Sequence, residues 1–362
     1  MYVADLHNDV LQRSIIGEDI TKKCPNGHSD IVRLLESKIN LEVFVIWVTK
    51  QHLKNNAFNR ANELIDKLEE IEKKINSLII VKSIEDLNYA KKNLLLAAPF
   101  GIEGGECLEG NINNLEHFIN RGMMYLGPTW NFSNLLASSA FDETFNISDK
   151  NTCGLTEFGK DVVKLCNESK VIIDVSHIGE KSFWDIIKLT KKPIIASHSC
   201  VYNLCPHYRN LKDDQLIEIK KKNGAIFVNL YPNFIDPNFK SEEKNFIVKY
   251  KTELNNINLN FSDQDEIWIN KQFFMQEKLK SIAPDIGKFI DHIDYIVKLI
   301  GVDYVGIGSD YDGIDCLPKQ FTDCRDHLLI PKELKKRGYS DIDIEKIMGL
   351  NFLRIYNEIK SR

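Results

Sequence analysis

Eight short apolar runs recur along the 362-residue chain, and segments with helical periodicity separate them. Several runs are apolar at every position, which is typical of parallel strands buried on both faces. Strands that alternate with helices predict β-α units, and eight such units favour an α/β fold of the (β/α)8 TIM-like barrel type. An open, doubly wound sheet is the alternative. The predicted strands are Val3–His7, Leu41–Val48, Leu94–Glu103, Met124–Trp130, Val171–His177, Pro193–His198, Ala225–Tyr231 and Tyr304–Asp310.

The segments between these strands have the spacing of amphipathic helices. Ser77–Val81 is a ninth strand candidate, which we interpret as peripheral because it precedes a helical stretch without a polar tip. We predict one domain, residues 1–362, since α/β barrels commonly reach this length without dividing. The clearest predicted helices are Phe58–Asn76, Thr156–Ser169, Lys212–Lys222 and Ile286–Ile300.

The connection between the seventh and eighth predicted strands is enlarged at residues 239–283. This segment is rich in Lys, Glu and Asn, with scattered aromatic residues. Connections of this length tend to be functional or interfacial. A lid, a dimer contact and a solvated helical excursion all remain open from the sequence.

The charge balance argues against a nucleic-acid or membrane partner. Lys and Arg number 47 against 52 Asp and Glu, a net charge of −5 with His neutral, which offers no general attraction for anionic polymers or lipids. No apolar stretch has the length of about 18 residues that suggests a membrane span. A small-molecule partner is therefore favoured. Because the first strand-like run begins at Val3, without room for a signal peptide, we expect a cytoplasmic protein whose eight cysteines are mostly buried free thiols.

Polar side chains follow the predicted strands where each one ends, and barrel enzymes place their active sites at these ends. The first strand ends in His7-Asn8-Asp9, and since side chains two apart on a strand point to the same side, His7 and Asp9 can reach one ion. Glu103 ends the third strand between glycines that let the backbone approach a ligand closely. Taken alone, His-x-Asp is a weak signal, and Glu103 also fits a tight surface turn.

Two imidazoles end adjacent predicted strands. His177 closes the fifth run and His198 the sixth, 21 residues later, so the two rings would lie side by side. A single histidine at a strand end is more often a hydrogen-bonded structural residue. Two histidines that face Glu103 and the His-x-Asp pair across one barrel mouth favour a metal site.

The eighth predicted strand ends in a glycine-rich turn that carries Asp310 and Asp312 to the same mouth, where one of them can serve as a proton carrier. Arg209 follows the sixth strand, and its planar guanidinium is suited to holding a substrate carboxylate. Nitrogen and oxygen ligands without thiolate suit two zinc ions that share a bridging carboxylate and a bridging hydroxide. Hydrolysis is the expected reaction class, and the chain lacks the G-x-S-x-G elbow of many serine hydrolases.

Over nearly its whole length the chain resembles the membrane dipeptidase (renal dipeptidase) family of zinc metallopeptidases. Each shared motif is short, but their order and spacing, including the eleven-residue step from His198 to Arg209, make the joint match specific. The motifs are His7-x-Asp9, Gly-x-Glu103-Gly-Gly, Asp-Val-Ser-His177, Ser-His198-Ser, Arg209-Asn210, Gly-Ser-Asp310-Tyr-Asp-Gly and Asn351-Phe-Leu-Arg.

The resemblance implies a barrel of the metal-dependent hydrolase type, often dimeric, with two Zn²⁺ per chain. It implies that His7 and Asp9 hold one zinc ion, that His177 and His198 hold the other, and that Glu103 bridges both.

The same resemblance implies roles for residues around the metal ligands. Asp310 would be the general acid and base, and Arg209, with Asn210 beside it, and Tyr231 would bind the substrate and orient its terminal carboxylate. Trp130 stands where animal members carry a histidine that assists the tetrahedral intermediate, so it would line the substrate site instead.

We therefore predict a dipeptidase that uses a metal-bridging hydroxide, with Asp310 and Glu103 as catalytic residues and a homodimer as the expected assembly. The sequence leaves open whether a D-configured C-terminal residue is accepted. The alternative among hydrolases is an amidohydrolase that acts on N-acyl amino acids, cyclic amides or lactones. The alternative from another class is a metal-stabilised binding protein without activity, which the retention of Asp310 disfavours.

Overall fold

The computed structural model describes residues 1–52, 56–145, 147 and 154–361. In this part of the chain ten strands form one sheet, and all of their pairings are parallel. The strands are β1 Ala4–Asn8, β2 Leu41–Trp47, β3 Leu78–Ile79, β4 Leu96–Ala97, β5 Phe100–Glu103, β6 Tyr125–Gly127, β7 Ile172–Asp174, β8 Ile194–Ala196, β9 Ala225–Val228 and β10 Val305–Ile307.

Eight of these strands follow one another around a ring in chain order, from β1 through β2 and β5 to β10. The ring closes where the amide of Asp310 donates to the carbonyl oxygen of His7 at 3.0 Å and the amide of Asp9 donates to that of Tyr311 at 2.8 Å. A parallel bridge joins Asn8 and Tyr311 at the same place. The prediction of a (β/α)8 barrel is confirmed, and the open, doubly wound sheet is excluded.

The prediction of a single strand at Leu94–Glu103 is wrong, since two strands, β4 and β5, occupy this range. Pro99 lies between them, and it has no backbone N–H to donate to a ladder. Its carbonyl oxygen still accepts from the amide of Phe44 at 3.0 Å, which aligns β5 on β2. The short β3 pairs only with β4, outside the ring, as expected for a peripheral strand.

Helices connect the strands and cover the outside of the ring. The predicted helices are confirmed, with ends that differ by two residues or fewer. The helices are Leu11–Ile15, Ile31–Ser37, Ala57–Lys74, Ile84–Asn93, Ile112–Arg121, Ala140–Phe145, Glu157–Glu168, Glu180–Leu189, Asp213–Lys221, Pro232–Ile235, Phe239–Lys249, Lys251–Asn260, Gln264–Leu279, Ile286–Ile300, Leu329–Lys336, Asp341–Glu345 and Asn351–Ser361. Short 3₁₀ turns lie at Lys50–His52, Gly105–Leu108, Val302–Tyr304 and Cys324–Leu328, and a π-helical turn at Lys346–Leu350.

Alternate side chains of the strands enter two separate clusters, because successive residues of a strand point to opposite faces. Tyr125 packs with Phe227 inside the ring, whereas Leu126 and Val228 pack against the outer helices. The helix Asn351–Ser361 joins the inner cluster through Phe352 and other apolar residues, so it covers the end of the barrel opposite to the polar strand tips.

The enlarged connection contains three helices, Phe239–Lys249, Lys251–Asn260 and Gln264–Leu279. The third helix is fixed to the barrel by Asp265, whose carboxylate accepts hydrogen bonds from Thr49 and Arg60. The middle helix buries none of its residues. The segment is therefore held at both ends, through the buried Phe239 in the first helix and Asp265 in the third, and its middle helix extends into solvent.

Seven cysteines are buried with free thiols, as predicted, and Cys153 lies outside the described residues. None of the described helices combines the length and the hydropathy that a bilayer-spanning helix needs.

A buried ion pair fixes the turn after β10 to the first helix. The guanidinium of Arg13, 2% exposed, donates to Asp312 at 3.2 Å. Asp312 also accepts from the amides of His28 at 2.7 Å and Ser29 at 3.0 Å. Burial opposes ionisation of Asp312, but Arg13 and these donors hold the pKa of its carboxyl below the ordinary value.

We expect Asp312→Ala to lower the free energy of unfolding by about 3–5 kcal/mol, because it removes the buried carboxylate that Nη1 of Arg13 and the amides of His28 and Ser29 share. Denaturant unfolding followed by circular dichroism measures the change. Glu157→Ala is the matched control, since its pair with Lys160 is exposed and screened by solvent and should contribute little to stability. Equal midpoints for the two variants would contradict the structural role of Asp312.

Candidate active site

A cavity of about 430 Å³ opens at the carboxyl ends of the strands. It combines polar residues from the strand tips with an aromatic wall, in which Trp47 contacts both Trp130 and Trp268 with ring centroids 4.8 and 5.1 Å apart. The main lining residues are Asp9, Trp47, Glu103, Trp130, His177, His198, His207, Arg209, Tyr231, Asn233, Lys240, Glu243, Trp268, Asp310 and Gly313.

The five predicted metal ligands come together, and the three imidazoles face one carboxylate oxygen, Oε1 of Glu103. This atom lies 2.8 Å from Nε2 of His177, 3.3 Å from Nε2 of His198 and 3.6 Å from Nε2 of His7. The carboxylate of Asp9 is 3.5 Å from Nε2 of His7. His7 and Glu103 lie inside strands, whereas the other three follow a strand end by one to three residues.

The hydrogen bonds behind the three imidazoles determine which nitrogen carries the proton. The hydroxyl of Tyr125 donates to the carbonyl oxygen of Leu6 and is 3.0 Å from Nδ1 of His7, so it accepts from that nitrogen. Ser197 donates to Asp174 and accepts from Nδ1 of His198 at 2.8 Å.

The side-chain oxygen of Asn131 accepts from Nδ1 of His177 at 3.0 Å. Protonation of Nδ1 in all three rings leaves each Nε2 lone pair directed at Glu103. Partners behind metal-ligating histidines orient their rings in this way.

This arrangement fits a metal ion. Nε2 of His7 and Oε1 of Glu103 are buried and lack hydrogen-bond partners. Ligand atoms of His7, Glu103 and His198 lie within 4.8 Å of one another, as do those of His7, Asp9 and Asp310. Imidazole nitrogens and carboxylate oxygens without thiolate suit zinc and other first-row metals.

The pKa values at the site show the same requirement for a cation. Burial raises the pKa of Glu103 well above its ordinary value, and the charges of Asp9 and Asp310 raise it further. Burial opposes a charge on His7, but the surrounding carboxylates, Glu103 foremost, raise its pKa to about 10, so they favour a positive charge at Nε2, which a metal ion supplies in place of a proton. Burial and nearby positive charges hold the pKa of His177 and of His198 well below normal, so these two rings are neutral, as metal ligands must be.

The turn after β10 separates its two carboxylates. Asp310 faces the cavity, with Oδ1 4.0 Å from Nε2 of His7 and Oδ2 accepting from Asn229 at 2.8 Å, whereas Asp312 faces Arg13. Burial raises the pKa of Asp310 to about 6, and the charge of Asp9 contributes to the rise. Gly313 is required here, because a Cβ at this position would lie 2.1 Å from Oδ1 of Asp310 and 2.3 Å from Oδ2 of Asp9.

Arg209 is a buried cation with unused donors. Its side chain is 3% exposed, and Nε and Nη1 have no hydrogen-bond partner, while Nη2 lies 2.7 Å from Nε2 of His198. Burial lowers the pKa of the guanidinium. A buried guanidinium with unused donors beside a cavity is suited to a carboxylate ligand.

The other predicted substrate residues do not all line the cavity. Tyr231 and Trp130 line the cavity, but Asn210 does not, since its amide donates to the carbonyl oxygens of Cys205 and Phe234 at 2.9 and 2.8 Å. Asn210 therefore ties the Arg209 loop to the segment after β9. Trp130 lies beside His177, with ring centroids 6.2 Å apart.

Several residues of the site were not predicted. Asn229 and Ser197 could have been found, because each is a polar residue at a strand tip. Tyr125 lies within an apolar run and gives no signal of its own. Glu243 and Trp268 come from the enlarged connection, whose path over the cavity cannot be inferred from composition.

A model of the membrane dipeptidase family, peptidase family M19, matches residues 1–362. An uncharacterised dipeptidase of Schizosaccharomyces pombe is 26% identical over 92% of this chain and 72% of its own length. Human dipeptidase 3 is 24% identical over 99% of this chain and 65% of its own length.

A metallopeptidase of Rhodobacter sphaeroides, crystallised with a phosphinate mimic of the dipeptide L-Ala-D-Ala, has the same fold with a TM-score of 0.79 and 21% identity, covering 99% of both chains. The family match spans the whole chain, and the metal-compatible cluster lies at the carboxyl ends of the strands. The chain therefore belongs to the membrane dipeptidase family of metallopeptidases, peptidase family M19.

Proposed function

We propose that this protein is a dipeptidase with two zinc ions per chain. The observation that carries the proposal is the convergence of three Nε2 lone pairs and the Glu103 carboxylate beside Arg209, a buried cation with unused donors. The cluster of imidazoles and Glu103 needs cations, whereas Arg209 needs an anion. A free dipeptide supplies such an anion, because its terminal carboxylate lies close to its scissile bond.

In this proposal His7 and Asp9 would hold one ion, His177 and His198 would hold the other, and the Glu103 carboxylate would serve both. When bound, the two ions supply an activated water molecule and a Lewis acid for the peptide carbonyl oxygen. Tyr125, Ser197 and Asn131 keep the imidazoles oriented through the Nδ1 contacts described above.

Asp310 carries the proton from the attacking water to the leaving amine. Its Oδ2 is held by Asn229, so Oδ1 faces the cavity. A pKa near 6 allows the carboxylate to accept a proton and to release it at neutral pH. Water adds to the carbonyl carbon, the C–N bond breaks, and the products are two free amino acids.

Arg209 holds the C-terminal carboxylate and thereby limits the substrate to short peptides that end near the site. We also propose that a D-configured C-terminal residue is accepted, which the L-Ala-D-Ala mimic bound by the Rhodobacter sphaeroides relative supports. The homodimer and the cytoplasmic location remain predictions from the sequence.

The purified protein should contain two zinc ions per chain and should cleave dipeptides only when they are bound. Elemental analysis measures the metal, and a panel of Ala-Ala dipeptides with L- or D-alanine at the second position measures activity before and after chelation. Zinc should restore activity to the chelated protein. If the protein binds two zinc ions but cleaves no dipeptide, the result would favour the amidohydrolase alternative. N-acyl amino acids and lactones are the substrates that test this alternative.

Asp310→Asn should lower kcat by about 10²-fold or more, because the amide cannot relay a proton. The zinc content should stay at the wild-type value, which separates proton transfer from metal loss. Asp303→Asn, remote from the cavity and paired with Lys346 on the surface, is the control. Near-normal turnover in Asp310→Asn with both ions bound would refute the proton-carrier role.

Arg209→Met should raise KM for a dipeptide by roughly tenfold or more, since a charge-assisted contact to the carboxylate is lost. The same dipeptide with a C-terminal amide is the diagnostic substrate. The wild type should prefer the free acid strongly, and the variant should cleave both with similar kcat/KM. If Arg209→Met still prefers the free acid to the amide, a residue other than Arg209 binds the substrate carboxylate.

A further inference from the structure

Two carboxylates lie near Tyr231: Glu243 lines the active-site cavity, and Asp315 lines a neighbouring cavity that shares Tyr231. The hydroxyl of Tyr231 donates to Oε1 of Glu243 at 3.1 Å, and Nδ2 of Asn233 donates to Oε2 of Glu243 at 2.7 Å. Burial raises the pKa of Asp315 to about 7, and the charge of Glu243 adds to this effect, so the two acids repel each other. None of these contacts is needed for the metal cluster or for Arg209.

Hydrogen-bond acceptors exceed donors in this group. Nδ2 of Asn233 is used by Glu243 and by Tyr231, which orients the amide and leaves Oδ1 without a partner in a side chain that is 8% exposed and lines the cavity. Oδ1 of Asp315 also has no partner. Unsatisfied buried acceptors are costly, and a ligand with several N–H donors would satisfy them.

Throughout the described residues, no nitrogen of Lys, Arg or His forms an ion pair with Glu243 or Asp315 within 4.0 Å. Lys240 lines the same cavity, but its charge acts on His207, on the side of Arg209. Lys271 lines a neighbouring cavity with Asp315 and is not paired with it.

We propose that Glu243, Asp315 and Asn233 form a subsite for a cationic side chain, so that the preferred dipeptides carry lysine, ornithine or arginine as their C-terminal residue. This inference rests on the proposed dipeptidase function, because it specifies which side chain the same cavity selects.

The spacing within the cavity fits such a residue. The guanidinium of Arg209 lies 5.4 Å from the ring centroid of Phe234, and that ring lies 5.0 Å from the ring of Tyr231. Arg209 and the acidic group thus flank one aromatic ring. A four-carbon stem that ends in three donors can extend from a carboxylate on Arg209 along Phe234 toward Glu243. A neighbouring cavity of about 340 Å³ shares Tyr231, Trp268 and Gly313 and offers room for the head group.

The test compares Ala-Lys with Ala-norleucine, which has the same stem without the charge, each with an L- or a D-residue at the second position. For the zinc-loaded wild-type protein we expect kcat/KM to favour Ala-Lys by about tenfold or more, the size of one charge-assisted contact. Calorimetric titration with phosphinic analogues of the two dipeptides should show the same preference in Kd and does not depend on turnover.

Glu243→Gln keeps the shape and one acceptor oxygen, which can still accept from Asn233, but removes the charge, so the ratio of kcat/KM for Ala-Lys over Ala-norleucine should fall close to one. Asp315→Asn is a second variant with the same expectation. Glu242→Gln is the matched control, since Glu242 is exposed on the same helix and does not line the cavity. The control should keep the wild-type ratio.

Cleavage of Ala-norleucine equal to or faster than that of Ala-Lys by the wild type would overturn the subsite and leave the dipeptidase proposal intact. A ratio unchanged in both Glu243→Gln and Asp315→Asn would also overturn it. If no dipeptide is cleaved, the proposed function fails, and equal Kd values for the two phosphinic analogues would then overturn the subsite independently.

Discussion

The closure of the parallel ring between β1 and β10 is the constraint on which the site depends. The backbone groups that close the ring belong to His7, Asp9, Asp310 and Tyr311. Three of these residues also direct a side chain to the metal-compatible cluster. Barrel closure and assembly of the ligands are therefore one event, and it brings like-charged carboxylates together in a buried place. A cation offsets that repulsion, which couples metal binding to the stability of the closed ring.

The cavity is polarised around this cluster. Arg209, His207 and Lys240 lie on one side, and Glu243 lies with Tyr231 on another, while Trp47, Trp130 and Trp268 form an apolar wall. Separated charges of opposite sign are expected for a pocket that binds a zwitterion, because a single sign would repel one end of it. The hydroxyl of Tyr231 already donates to Glu243, so a contact of Tyr231 with the substrate carboxylate requires this bond to change.

Much of the fold could be predicted, because the sequence contains both the apolar runs of buried strands and the spacing of amphipathic helices. The apolar runs alternate with helical segments, and this pattern identified all eight strands of the ring and the peripheral position of β3. The ends of the strands were less predictable. Pro99 divides one run into two strands, and the assigned strands end before His177, His198 and Asp310.

The sequence by itself determined which side chains lie at the carboxyl ends of the strands, because position along a strand follows from local pattern alone. Only the tertiary structure decided which of them face one another. Asp310 enters the cavity and Asp312 pairs with Arg13. Yet only one residue separates the two, and both have a positive φ. Asn210 holds a loop, and Glu243 reaches the substrate cavity from a helix distant in sequence. Such outcomes depend on distances between segments far apart in the chain, which are set by the closure of the ring and by packing against it.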